Sequence, residues 1–152
     1  MQKLNTLVEN LHKNIAFKDA INTQVSQVAV SWQIDHCLKV IITVCESLNN
    51  SNPKDYRWKF NYIRTLIFFK GSIPRGKVKA PKAVQSFSDI SLEDLNSQLI
   101  LAKKLVAQIS ELPPKSNFKH PIFGVLNVKQ AVKFLNLHTH HHVKIINDIV
   151  KK

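Results

Sequence analysis

The stretch Phe134-Leu135-Asn136-Leu137-His138-Thr139-His140-His141-His142-Val143-Lys144-Ile145-Ile146-Asn147-Asp148-Ile149 carries both a helical apolar period and four of the seven histidines of the chain. At about 100° per residue, His138 and His142 lie one turn apart on one helix face, and Phe134, Leu135, Ile145 and Ile149 continue that face. Two imidazoles at i and i+4 can reach one point in space, as two ligands of one metal ion must. His140 points elsewhere, and His141 sits on the flank of the same stripe, a candidate for a third inward group whose side is left open. Thr139 interrupts the run, and helix continues on both sides, so the cluster does not read as an affinity tag. Two buried imidazoles packed without a common purpose would each lose solvation, which favours a shared ligand over two independent core histidines.

Working outward, Asn127 and Gln130 form a capping-box pattern that starts this last helix. The preceding Asn117-Phe118-Lys119-His120-Pro121-Ile122-Phe123-Gly124-Val125-Leu126 reads as a structured loop. Leu4, Leu7, Val8, Leu11 and Ile15 recur at helical spacing and predict a first helix that weakens around Ala20 to Gln27. Ile34, Cys37, Leu38, Ile41, Val44, Cys45 and Leu48 predict a second from Val30 to Leu48, with Ser31 as its cap. Asn49-Asn50-Ser51-Asn52-Pro53 ends it, with Asn52 as the next N-cap and Pro53 at the first helical position. Residues 54–70 hold Tyr56, Trp58, Phe60, Tyr62, Ile63, Leu66, Ile67, Phe68 and Phe69. They are expected to form one or two helices closed by Gly71 and to contribute heavily to the core. Ser91-Leu92-Glu93-Asp94 opens a helix running to about Leu112, stopped by Pro113-Pro114. No strand-period segment competes, so the expectation is a single all-α domain over residues 1–152, a four-helix bundle with a long crossover loop.

The totals exclude several classes. Hydrophobic content of 44% over 152 residues suits a core that needs no disulfides. No apolar run approaches the roughly 20 residues of a membrane span, and residues 1–11 do not form a signal peptide, so the chain is expected in the cytoplasm with no membrane partner. Cys37 and Cys45 lie eight positions apart on one helix, roughly 12 Å along its axis, too far to bridge; they read as reduced core thiols. The net charge of +12 invites nucleic-acid binding, but the bases are scattered lysines and no binding motif is present, so no specific nucleic-acid partner is expected. The densest basic run, Arg75-Gly76-Lys77-Val78-Lys79-Ala80-Pro81-Lys82, reads as a solvated loop, with an anion-binding loop as its alternative.

A bundle site needs a ligand from a second helix, and His12, His36 and His120 are the candidates. His12 is expected to face solvent, and His120, before Pro121, to belong to a loop as a pocket or supporting residue. His36 lies one turn after Trp32 within the second helix. By wheel angle it occupies the edge of that helix's stripe, beside Trp32, Val40 and Thr43.

Together, Trp32-x-x-x-His36, the lead-in His120-Pro121-x-Phe123-Gly124-x-Leu126 and His138-x-x-x-His142 resemble the DinB/YfiT-like superfamily, specifically a branch of unknown function. The resemblance spans most of the chain. It implies an up-down-down-up four-helix bundle and a three-histidine divalent-metal site, carried here by His36, His138 and His142. It also implies a small-molecule substrate: some relatives are transferases that join a low-molecular-weight thiol to an electrophile. A homodimer through a bundle face is a further implication.

Three neutral imidazoles leave a divalent ion its full charge and an open position, where bound water or thiol becomes acidic. Imidazole suits zinc first, with nickel and iron compatible. The pair is His-x-x-x-His, not His-Glu-x-x-His, so the glutamate base of zinc peptidases is missing, which favours thiol transfer over hydrolysis. Asp35, Glu46 and His141 are the supporting groups considered around the ligands, each with a plain packing or surface role as its alternative. The rival to an enzyme is a non-catalytic helical module holding a structural metal or none.

Overall fold

A computed structural model describes residues 1–75 and 90–151. It is mostly helical, with five α-helices, α1 (Gln2–Asn14), α2 (Val30–Asn49), α3 (Tyr62–Lys70), α4 (Leu92–Gln108) and α5 (Val128–Val150). A small antiparallel hairpin, β1 (Asn117–His120) with β2 (Gly124–Asn127), lies between α4 and α5. The four long helices share one core: α1 packs on α4 and α5, and α2 on the same two. Leu4, Leu11, Ile34, Ile41, Leu95, Leu135 and Ile146 lie fully buried where these faces meet. No described helix is long and apolar enough to cross a membrane.

Local chemistry sets most boundaries. Asn52 caps a short 3-10 turn at Pro53–Asp55, accepting from the Lys54 N–H. Gly71 closes α3 at φ 69°, a left-handed position natural to glycine. Ser91 with Asp94 and Asn127 with Gln130 both form complete capping boxes, opening α4 and α5. Ser31 does not cap α2. The N-cap is Ala29, and the first amides are satisfied from outside the helix, Val30 N–H by the Ala20 carbonyl and Ser31 N–H by that of Lys18.

Two further expectations are corrected. The chain is not all-α, because residues 117–127 form a hairpin rather than a loop, with Phe118 opposite Leu126 and His120 opposite Gly124. Its signal was brief: Pro121 enters a tight turn, and Gly124 at φ 72° supplies the left-handed residue after it. The aromatic segment is not a core strip either. Ile67 and Phe68 pack against the core, whereas Trp58, Phe60, Tyr62, Ile63, Leu66 and Phe69 are exposed. The basic run from residue 76 to 82 lies outside the described residues.

The buried side chain of α3 is Arg64, 4% exposed. Its guanidinium donates to the carbonyls of Lys59 (2.5 Å), Phe123 (3.2 Å) and Val125 (3.5 Å). Asn61 adds a bond to the Ile122 carbonyl while capping α3 through the Arg64 N–H. The clamp ties α3 to the hairpin turn that leads into α5. Replacing Arg64 by Met keeps the bulk but strands the Lys59 and Phe123 carbonyls. The Arg64→Met protein is expected to lose about 2–4 kcal/mol of stability, read as a lowered melting temperature by circular dichroism.

Candidate metal centre

Two helices bring the histidines together. α5 presents His138 and His142 one turn apart, with ring centroids 4.6 Å from each other. α2 presents His36, whose centroid lies 5.0 Å from that of His138 and 4.8 Å from that of His142. The Nε2 atoms of His36 and His138 are 3.2 Å apart. Two nitrogens bound at about 2.0–2.1 Å to one tetrahedral ion sit roughly 3.3 Å from each other, so this pair already has ligand spacing. One nitrogen from each of the three rings falls within 4.8 Å of the others. All three residues expected as ligands therefore converge, across a sequence separation of 102 residues between His36 and His138.

His36 is more central than its wheel angle suggests. Gln33, Ile34, Asp35, His36, Cys37 and Leu38 are all buried, so this part of α2 is enclosed on every side and has no solvent edge. Trp32, one turn earlier, stacks on the His36 ring at 5.1 Å and 11° and holds its plane.

Support for His142 comes from a residue that apolar and charge patterning did not single out. Its Nδ1 lies 2.6 Å from Oε1 of Gln33, which is itself 4% exposed. The proton positions follow from the next links. Ser26 Oγ donates to the Val28 carbonyl and so spends its one proton there. It must accept from Gln33 Nε2, at 3.1 Å. Gln33 therefore turns its oxygen toward His142, whose Nδ1 donates, leaving the Nε2 lone pair free for a metal. A glutamine at i−3 from a histidine on the same helix was the available signal, though its partner is 109 residues away.

The other polar candidates do different work. Asp35 is buried, accepting from Gln98 at 2.7 Å and pairing with Lys39 at 2.8 Å, so it links α2 to α4. Glu46 is exposed, as is His12, which lies 3.6 Å from the Glu9 carboxylate. His120 holds the hairpin turn: Nδ1 accepts from the Ile122 and Phe123 N–H groups, both at 3.1 Å, and the ring stacks on Phe123. His140 is exposed. His141 faces a separate cavity of about 140 Å³ that Ile73, Arg75, His140 and Lys144 also line. Both cysteines are free and buried, and burial pushes their thiols up, that of Cys45 to about 12.

The electrostatics favour neutral imidazoles. Burial is the main cause throughout. It holds His138 well below its ordinary value, aided by His142 and His36, and brings His142 down to about 3, aided by His36. Neutral rings are the form that binds metal. Nδ1 of His138 is buried without a hydrogen-bond partner among the described residues, a cost accepted at this position. The donor set of three nitrogens from rigid helices fits a divalent transition ion.

Comparison of the chain with protein-family models, with curated proteins and with solved structures returns no match.

Two outcomes follow. His120, lowered by burial from 6.5 to about 4, and His142, at about 3, refuse protons that the unfolded chain accepts below 6.5. Stability present in full above 6.5 is therefore lost as the pH falls toward 4, and melting temperatures of metal-free protein should decline across that window rather than stay flat. Gln33→Leu removes the acceptor that orients His142 and should weaken zinc affinity roughly 10–100-fold in a chelator competition, without loss of helical signal.

Proposed function

We propose that this protein is a divalent-metal-dependent enzyme of the DinB/YfiT-like kind, acting on a small molecule as a thiol-dependent transferase or as a hydrolase. The observation that carries the reading is the convergence of His36, His138 and His142 from two helices, with nitrogen donors alone. Zinc is the default ion for such a set, with nickel or iron compatible. The up-down-down-up topology and the cytoplasmic setting belong to the same proposal.

His36, His138 and His142 hold the ion, Trp32 sets the plane of His36, and Gln33 keeps the His142 lone pair inward. A structural zinc site closes its shell with four protein ligands, and the described residues offer three, which supports an open, working position over a purely structural one. A divalent ion there supplies Lewis acidity, lowering the pKa of a coordinated water or thiol. The candidate cluster contains no carboxylate to serve as general base, which supports thiol chemistry, where deprotonation accompanies coordination. The thiol must come from a small molecule, because Cys37 and Cys45 are buried and their thiols are pushed up. The net charge of +12 favours an anionic one.

Untagged protein should carry about one divalent ion per chain by elemental analysis, and His36→Ala and His138→Ala should abolish it. Zinc at a hundredfold excess over its dissociation constant adds about 2.7 kcal/mol, so the metal-free protein should melt several degrees higher with zinc than without. Absence of stoichiometric metal together with an unchanged melting temperature would reject the metal reading. Loss of a low-molecular-weight thiol in the presence of an electrophile, absent in His138→Ala, tests the transferase arm.

A further inference from the structure

Six large exposed hydrophobic residues fall within twelve consecutive positions, Trp58, Phe60, Tyr62, Ile63, Leu66 and Phe69. α3 is apolar on both sides. Arg64, Ile67 and Phe68 face inward, while Tyr62, Leu66 and Phe69, at i, i+4 and i+7, form a second stripe on the outside. Phe69 is 90% exposed and Trp58 is 62% exposed. A second apolar stripe left exposed on a helix marks a surface for a partner, and the described residues cover one side only.

Charge identifies the missing partner. Lys54, Arg57, Lys59 and Lys70 are exposed and alternate with or flank these residues in sequence, against a single acid in the segment, Asp55. The chain as a whole carries +12. A second copy would bring the same cationic rim against itself, whereas an anionic surface would be drawn to it. The apolar group mixes Trp, Tyr and Phe with Ile and Leu. Aromatic rings alone would suit stacked bases, but aliphatic side chains offer a base no stacking face and do suit acyl chains. Trp and Tyr are also the residues that settle at the headgroup level of a bilayer, with flanking Lys and Arg on the lipid phosphates.

We infer that the exposed apolar side chains of the segment from Trp58 to Phe69 dock on an anionic lipid surface, as a peripheral contact that spans nothing. The histidine cluster, whose His36 lies on α2 and whose His138 and His142 lie on α5, carries no part of this inference. The expected lipid selectivity comes from the cationic rim, and the depth of insertion from Phe69, Leu66 and Trp58.

The test is co-sedimentation of the 152-residue chain with phosphatidylcholine vesicles, with and without phosphatidylserine. Binding is expected to the phosphatidylserine vesicles, to weaken with added salt, and to fall roughly tenfold or more in Trp58→Ser/Phe69→Ser. Both positions are exposed, so circular dichroism should show the variant folded. If that variant does not fold, Lys59→Glu/Lys70→Glu serves in its place and should abolish binding. Results of three kinds would overturn the inference. One is no binding to either vesicle, or binding that the variants leave unchanged. Another is a solution dimer that Phe69→Ser converts to monomer. The third is binding to a single-stranded oligonucleotide that these substitutions remove while vesicle binding is absent.

Discussion

The burial of one stretch of α2 on all sides is the constraint on which the remaining structure depends. Residues 33–38 are without exception buried, and three of them, Gln33, Asp35 and His36, are polar. A polar group withdrawn from water must be matched inside the protein. Two of the three are matched toward α5 and one toward α4. Gln33 reaches His142 on α5, Asp35 reaches Gln98 on α4, and His36 meets His138 while stacking on Trp32. A rotation or slip of α2 would break all three at once, so the bonds that satisfy the helix also fix its register against its neighbours.

The same enclosure shapes the chemistry. Desolvation keeps His138 and His142 neutral, and the short chain through Gln33 and Ser26 determines which nitrogen of His142 carries the proton. Rigid helices bring the ligands and packed neighbours orient them, which is what a preorganised metal site requires. The hairpin contributes from the other end. His120 and Arg64 satisfy the backbone of its turn, and Asn127 at its close caps α5, so the helix bearing two ligands starts from a braced point.

Legibility in the sequence followed the range of each interaction. Asn52, Gly71, Ser91 and Asn127 act on backbone groups within a few residues, and their roles were readable directly. The i, i+4 pair His138 and His142 was equally local. Ser31 misled because the amides at the start of α2 find carbonyls at Ala20 and Lys18, a chain reversal no capping pattern records. The aromatic run at 58–69 misled for a different reason: apolar composition does not say which face of a short helix the rest of the fold will cover. Here the core took Arg64, Ile67 and Phe68 and left Phe69 and Tyr62 outside.

The sequence by itself determined the helices, their caps, the shared face of His138 and His142 and the distance between the two thiols, because these rest on periodicity and on hydrogen bonds a few residues long. It also allowed His36 as the third histidine, through Trp32 one turn before it. Only the tertiary structure decided that His36 is buried against the pair, that Gln33 orients His142 while Asp35 turns to α4, and that His141 looks into a different cavity. Those outcomes depend on which helices surround α2 and at what rotation, and that is settled by packing across about a hundred residues of chain.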